Sequence, residues 1–196
     1  ASAPLMADAG LSWQGYKLVG AGFALEADEA SRLLALEPRH AEIIRPYRSG
    51  KDLVTRPRGI SVLDFASRTE EEARAYPVLY DIVRTRVKPE RDANPDRGRR
   101  TYWWRFGRAN SELRGAVRDL ARYVATLEVS KHRTFIFLDG PTAPDGSLVA
   151  IASDDAFVLG VLSSSIHVTW ALAAGGRLGV GNDPRYNKSR CFDPFP

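Results

Sequence analysis

The chain has 196 residues, 44% of them hydrophobic, which is enough for one domain with its own core. It has no apolar run near the roughly 20 residues that span a bilayer, and its start lacks the features of a signal peptide. Its single cysteine, Cys191, excludes an internal disulfide, and the histidines lack metal-ligand spacing. These features predict a cytoplasmic protein that binds neither membrane nor metal.

Positive charge is unevenly distributed along the chain. The formal net charge is +4, but residues 82–133 hold 14 Lys or Arg against six Asp or Glu, an excess of eight. Arginines outnumber lysines by 23 to five, a bias that genomic base composition explains as well as function does. Because arginine forms planar forks that fit phosphates and guanine edges, a clustered basic region indicates a polyanionic partner.

The first half of the chain predicts short elements separated by turns. In chain order they are a strand with turns at 15–25, a helix at 28–36, a loop at 43–53, a strand at 59–65, a helix from Glu70 and another from Pro77. The loop is predicted because Pro46 and Gly50 interrupt regular structure. Thr69 and Glu72 form a capping box for the helix that starts at Glu70.

The second half begins with a polar, proline-containing segment at 88–100, which is typical of a mobile loop. The predicted elements after it are an aromatic strand in the block that begins at Thr101, a helix near 111–120, strands at 122–128, 133–138 and 147–153, a helix at 155–164 capped by Ser153 or Asp154, and its buried continuation at 165–176. Strands and helices do not alternate regularly. The order therefore predicts an α+β fold, a single compact domain with a mixed or antiparallel sheet and flanking helices.

A glycine-rich segment, GGRLGVGNDPRYNKSR, occupies residues 175–190. Its Gly179-x-Gly181 pair resembles a nucleotide-binding turn, which follows a strand and precedes an acidic ribose ligand by about 20 residues. Here the preceding residues are helix-like, and only 15 residues follow Gly181. We therefore predict no cofactor in this chain.

A serine–histidine arrangement is the hydrolytic alternative. Ser163 and Ser164 precede His167, and Asp154 and Asp155 supply carboxylates, but no nucleophile elbow is present. Helix capping and a structural hydrogen bond explain these residues more simply. We predict no catalytic residue.

Three segments carry side chains suited to DNA. The segment RTYWWRFGR interleaves arginines with aromatics that favour the core, VSKHR lies at a predicted hairpin tip, and NDPRYNKSR follows the glycines. The candidate DNA-binding residues are Arg105, Arg108, Lys131, His132, Arg133, Arg177, Asn182, Arg185, Asn187, Lys188 and Arg190. We expect Arg185 to read a base pair and Arg108 to contact a phosphate. The hairpin and the tail are expected to project from the same side as one ridge.

Several long motifs together resemble the target-recognition region of MmeI-like bacterial DNA methyltransferases, which are single-chain restriction–modification enzymes. The matching pieces are 8–15, 44–53, 87–92, 103–114, 122–139 and 150–196. The resemblance implies that residues 1–196 form a DNA target-recognition domain with double-stranded DNA as its partner. It also implies a fold similar to the recognition domains of type I specificity subunits, with base readers near Lys131–Arg133 and in Arg177–Arg190.

Full-length members of that family resemble adenine-N6 methyltransferases that use S-adenosylmethionine and often carry a nuclease. Their catalytic motif is Asn/Asp/Ser-Pro-Pro followed by an aromatic residue, and it is absent here. The resemblance therefore implies that S-adenosylmethionine and the catalytic methyltransferase domain, a further partner, belong to another part of the parent chain. The alternative function is a protein-interaction module that docks onto a methylase or nuclease subunit through Trp103, Trp104 and Phe106.

Overall fold

The computed structural model describes residues 3–178 and 183–196, in which it has ten strands and ten α-helices. The strands are β1 (Ser12–Gln14), β2 (Ala24–Leu25), β3 (Ile44–Arg48), β4 (Ser61–Leu63), β5 (Arg122–Leu127), β6 (Phe135–Asp139), β7 (Ala143–Pro144), β8 (Leu148–Ile151), β9 (Gly176–Leu178) and β10 (Asp183–Arg185). The helices are α1 (Ala27–Leu36), α2 (Gly50–Val54), α3 (Glu70–Arg74), α4 (Pro77–Arg86), α5 (Lys88–Asp92), α6 (Arg97–Thr101), α7 (Ser111–Val117), α8 (Ala156–Ser163), α9 (Ser165–Ala174) and α10 (Lys188–Cys191). The α+β prediction is confirmed.

A four-stranded antiparallel sheet in the order β1-β8-β5-β6 runs through the centre of the fold. Side chains of β5 alternate between its two faces, as in any strand. Tyr123, Ala125 and Leu127 belong to one hydrophobic cluster, and Val124 belongs to the other. Because β5 is buried on both faces, it is apolar along almost its whole length.

The larger cluster lies between the central sheet and a second sheet in the order β2-β4-β3-β7. The second sheet is mixed, since β3 pairs with β4 antiparallel and with β7 parallel. Apolar side chains from α1, α3, α4 and α7 complete this cluster, including Leu33, Leu79 and Leu113. The mixed or antiparallel arrangement expected from the sequence is therefore present.

The smaller cluster covers the opposite face of the central sheet and positions the tail of the chain. Leu162 of α8 and Ala171 of α9 pack there with Tyr186, Cys191 and Phe192. The two-stranded ribbon β9–β10 leads into this tail. Burial of Tyr186, which is 1% exposed, fixes the tail beside the end of β5.

Local signals were sufficient for several helices. The helix predicted at 28–36 is α1, and the one predicted from Pro77 is α4. The capping box before α3 is also confirmed, because Glu72 N donates to Thr69 Oγ1 and Thr69 N donates to the Glu72 carboxylate. These elements carry their start signals within three residues of their first turn.

The loop predicted at 43–53 is wrong, because β3 and α2 occupy it. Pro46 is tolerated in β3 because it pairs with Ser61 at the end of the β4 ladder, where a missing N–H removes little. Gly50 begins α2, which Ser49 and Asp52 cap reciprocally. The tertiary pairing with β4 overrode the turn signals.

The loop predicted at 88–100 and the aromatic strand predicted after it are also wrong. Helices α5 and α6 occupy the first segment, with proline at the start of α5 and Asp96 accepting from Arg99 N at the start of α6. The aromatic residues that follow form a turn instead of a strand. Prolines at the first turn of a helix begin it, as they do at α5.

Residues 155–174 form two helices instead of one continuous buried helix. The axes of α8 and α9 bend by 60°, and Ser164 Oγ accepts from His167 N to cap the second helix. Asp155, one residue after the predicted cap, accepts from Phe157 N. Phe157 and Ile166 are 75% and 74% exposed, so the pair is buried on one side only. No single helix in the described ranges is long and apolar enough to cross a membrane, although this bent pair has the length and composition.

Candidate nucleic-acid interface

The structure brings the predicted hairpin and the predicted tail together. We call residues 128–134, between β5 and β6, together with residues 183–190 the hairpin–tail ridge. Val129 and Arg185 form an antiparallel bridge, Tyr186 N donates to Glu128 O at 2.6 Å, and Ser130 N donates to Pro184 O at 3.2 Å. Backbone hydrogen bonds thus hold two segments about 50 residues apart in one surface feature.

Several of the predicted cationic residues are exposed on or beside the ridge. Lys131 and His132 form the hairpin tip, and Arg190 lies in α10. Arg177, in β9 opposite Pro184, is exposed as well. Asn182 and the Gly179-x-Gly181 pair lie outside the described residues. Lys131 and Arg190 give the ridge its outward positive charge, as polyanion binding requires.

Arg133 points into the ridge and not away from it. Its Nη1 donates to Leu127 O and to Thr126 Oγ1, and its Nη2 donates to Pro184 O at 3.3 Å. The guanidinium also stacks on Tyr186, 5.0 Å from the ring centroid, and burial lowers the pKa of Arg133. In this geometry Arg133 links the hairpin to the tail, because its N–H groups donate to acceptors inside the protein.

Arg185 is bound to a carboxylate. Its Nε and Nη2 donate to Oε1 of Glu128 at 2.9 and 2.7 Å. The Arg185 side chain is still 40% exposed, whereas that of Glu128 is 18% exposed. The pair lies at the junction of hairpin and tail, so the predicted base reader is at the centre of the ridge with one edge of its fork occupied.

Asn187 and Lys188 serve partly as structure. Asn187 Oδ1 accepts from Ser189 N at 3.1 Å and caps α10, and Lys188 Nζ donates to Asp193 at 3.0 Å. Lys188 also lines an open cleft of about 540 Å³ beside the ridge, together with Trp13, Gln14 and Arg108. Arg108 Nη1 donates to Gln14 Oε1 at 3.3 Å. The cleft therefore places two of the predicted cations close together.

Arg105 is placed differently from Arg108. Its Nε and Nη2 both donate to Arg68 O, at 2.9 and 2.7 Å, and its guanidinium stacks on Tyr102 and Trp104. The carbonyl of Arg68 also accepts from Trp104 Nε1 at 3.0 Å. Arg105 thus links the loop before α3 to the aromatic turn, and its hydrogen bonds are made there.

A buried aromatic group supports the tail from below. His167 is fully buried, and its Nε2 lies 3.0 Å from Tyr186 Oη. Phe135 and Phe195 pack their rings against it. Burial, with the nearby Arg133 charge, lowers the pKa of His167 from 6.5 to about 4, so its imidazole is neutral at pH 7.

The same contacts leave no serine–histidine catalytic pair at this site. Ser164 Oγ caps α9 by accepting from the backbone N of His167, and the His167 ring faces Tyr186. Ser163 is exposed at the end of α8.

The alternative function predicted a docking surface made of three aromatic residues. These residues are buried, because Trp103, Trp104 and Phe106 are at most 7% exposed. That surface was predicted wrongly, since these aromatics pack in the larger cluster.

Two residues of the interface were missed by sequence reasoning. Gln14 Nε2 donates to Glu128 Oε2 at 2.8 Å and to Gly146 O at 2.8 Å. Nothing in the sequence marks Gln14, because Glu128 is 114 positions away. Glu128 lies directly before the hairpin tip, and this position could have identified it as an interface residue. The prediction considered cationic residues there and not carboxylates.

The segments at this end of the fold carry a net positive charge. Residues 128–134 and 176–193 hold six Lys or Arg against three Asp or Glu, an excess of three out of the net +4 of the chain. Glu128 and Asp193 are paired with Arg185 and Lys188. The ridge therefore combines unevenly placed positive charge with donors held in fixed geometry.

Comparison with known proteins places these features in a family. The family model of the MmeI target recognition domain matches residues 13–196. No curated protein matches the chain. A solved structure of the type IIL restriction–modification enzyme MmeI in complex with DNA matches with a TM-score of 0.74 and 20% sequence identity. The match covers 95% of this chain and 24% of that chain, so the chain spans about a quarter of the length of that enzyme and shares the fold of that part.

Proposed function

The chain belongs to the family of MmeI target recognition domains, and from this premise we propose that it recognises a specific sequence of double-stranded DNA. It does so for a bacterial restriction–modification enzyme that methylates adenine at N6. The hairpin–tail ridge is the recognition surface. We place this activity in the cytoplasm, where such an enzyme meets its DNA.

The observation that carries the proposal is the hairpin–tail contact, in which the backbone of Tyr186 is bound to that of Glu128. It supports a rigid edge from which Lys131, His132 and Arg190 project. The major groove of B-DNA, about 12 Å wide, admits a two-stranded ribbon, and β9–β10 joined to the hairpin has that form. Phosphate contacts from the exposed cations would set the register, and side chains at the centre of the ridge would read bases.

Methyl transfer belongs to another part of the polypeptide in this proposal. The chain has no Pro-Pro dipeptide, so its residues do not fit the catalytic motif or a methyl donor held beside it. S-adenosylmethionine would therefore bind the catalytic methyltransferase domain of the parent chain. The exposed apolar side chains of Phe157 and Ile166 support a contact between this domain and that one.

Selection from a pool of random duplexes tests the proposed function. The chain should enrich one sequence family, and its affinity for that duplex should exceed its affinity for a scrambled duplex at equal salt. With about five phosphate contacts, log affinity should fall against log salt with a slope of about −4 to −5. Equal retention of all duplexes, or affinity that is independent of salt, contradicts sequence recognition.

A further inference from the structure

The carboxylate at the centre of the ridge has both of its oxygens in use. Oε1 of Glu128 accepts from Nε and Nη2 of Arg185, and Oε2 accepts from Nε2 of Gln14 at 2.8 Å. A carboxylate facing DNA repels phosphates, so its position among cations requires an explanation. The explanation is the edge of the Arg185 guanidinium that the carboxylate occupies.

A guanidinium presents five N–H donors in one plane, four of which are paired along two edges. Glu128 takes the side edge, which consists of Nε and one hydrogen of Nη2. The end edge, formed by Nη1 and the other Nη2 hydrogen, remains. No described residue accepts a hydrogen bond from Nη1, and the side chain is 40% exposed.

Gln14 fixes the carboxylate in turn. Its amide nitrogen donates to Glu128 and to the backbone oxygen of Gly146, both at 2.8 Å, and its amide oxygen accepts from Arg108. Every polar group of the Gln14 side chain is therefore satisfied in one orientation. This network joins β1, the end of β5 and the tail, and it removes rotamer freedom from Arg185 before any ligand arrives.

We propose that Glu128, held by Gln14, is a positioning residue that aims the end edge of Arg185 at the O6 and N7 atoms of a guanine. Two donors on one edge match the two acceptors that guanine presents in the major groove. Adenine presents one acceptor and one donor there, so the same fork rejects it. This assignment rests on the proposed function and names the base pair that Arg185 reads as G·C.

Two other roles for Glu128 make different predictions. A carboxylate that competes with DNA for Arg185 weakens binding to every sequence, and its removal strengthens binding. A carboxylate that itself accepts from cytosine N4 specifies a base pair of its own. A positioning residue instead shares its base pair with Arg185, and its effect vanishes when Arg185 is absent.

The test measures discrimination at each base pair of the selected duplex for wild type, Glu128→Gln, Arg185→Ala and the double variant. Arg185→Ala should lower discrimination at one G·C pair by about five- to 150-fold. Glu128→Gln should lower it at the same pair by about three- to 10-fold, with an unchanged salt slope and little further loss in the double variant. Glu29→Gln is the matched control, because it removes one of the two hydrogen bonds to Arg86 at similar exposure and should leave discrimination unchanged.

Each other outcome overturns the assignment. Tighter binding of Glu128→Gln to all duplexes makes Glu128 a competitor, and loss at a different base pair makes it a direct reader. Unchanged discrimination gives it no role. If Glu128→Gln does not fold by circular dichroism, Gln14→Ala replaces it and should lower discrimination at the same pair. A wild-type chain that enriches no sequence refutes the proposed function itself, whereas the preceding outcomes leave that function intact.

Discussion

Two arginine-rich regions of this molecule use the same side chain in opposite ways. In residues 88–108, Arg91 is 1% exposed and donates to Leu18 O, Arg100 donates to the carbonyls of Asn94 and Pro95, and Arg105 donates to Arg68 O. On the hairpin–tail ridge, by contrast, Lys131 and Arg190 are exposed. Three arginines of the first region donate to backbone carbonyls of the protein, whereas the ridge keeps Lys131 and Arg190 exposed.

The two regions differ in how many of their backbone carbonyls lack a backbone donor. Helices α5 and α6 are five residues each, so many carbonyls at their ends and in the turns between them have no backbone donor. Arg100 supplies donors to two of those carbonyls, and Arg91 and Arg105 donate to carbonyls outside the two helices. The two segments of the ridge are joined by their own backbone hydrogen bonds, and one arginine side chain, Arg133, adds a hydrogen bond between them. Local arginine density therefore reports irregular backbone as readily as it reports a binding surface.

The largest expected effect is a pH-dependent change in stability caused by His167, which is buried against Tyr186 of the tail. His167 has its pKa lowered to about 4 in the folded chain, whereas the unfolded chain titrates near 6.5. The unfolded state thus binds the extra proton between these values, so this contribution to stability is present above pH 6.5 and is lost as pH falls toward 4. The loss between pH 7 and pH 4 should be about 3 kcal/mol, measured by urea unfolding.

His167→Gln should remove that part of the pH dependence, while His132→Gln, at the exposed hairpin tip, should retain it. An identical pH dependence in wild type and His167→Gln contradicts a neutral, buried imidazole under the tail.

Arg185→Ala should have the next largest effect, and on recognition instead of stability. Discrimination at one base pair should fall by about 1–3 kcal/mol, because one bidentate contact is lost. The free energy of unfolding should change by less than about 1 kcal/mol, since the partly exposed pair with Glu128 contributes little. Competition binding with single-base variants of the duplex measures the first quantity. Equal loss on every sequence contradicts a base-reading role.

Arg105→Met should show the reverse pattern. Its hydrogen bonds to Arg68 O hold the aromatic turn, so stability should fall by about 1–2 kcal/mol. Affinity for DNA and its salt dependence should stay at the wild-type values when measured well below the unfolding midpoint. If log affinity falls less steeply with log salt in this variant than in wild type, Arg105 contacts DNA.

This contrast also marks where sequence reasoning succeeds. Helices α1, α3 and α4 were predictable because cap, proline and apolar spacing lie within the helix itself. The hairpin was predictable because VSKHR separates two apolar runs. The partner of each arginine was not, because the acceptor of Arg105 is 37 positions away and that of Arg185 is 57 positions away. Which edge of a guanidinium remains for a ligand depends on such distant contacts.

The smallest expected effect concerns Arg108, the last residue of the first region, whose side chain lines the cleft beside the ridge. It is exposed, lines the cleft with Lys188, and makes one long hydrogen bond, to Gln14. As a phosphate contact, its replacement by Ala should weaken binding to all duplexes alike, by a few-fold, and should reduce the salt slope by about one. Arg74→Ala, which removes an exposed cation paired with Glu70 on α3, is the control and should leave the slope unchanged.

A different result for Arg108→Ala separates two mechanisms. If discrimination at the G·C pair falls while the salt slope stays constant, Arg108 acts through Gln14 and Glu128 and not on a phosphate. The hydrogen-bonded series Arg108, Gln14, Glu128 and Arg185 makes that outcome physically reasonable. The 3.3 Å separation of Arg108 Nη1 from Gln14 Oε1 argues for the phosphate role, since it is the longest hydrogen bond of the series and holds the guanidinium least.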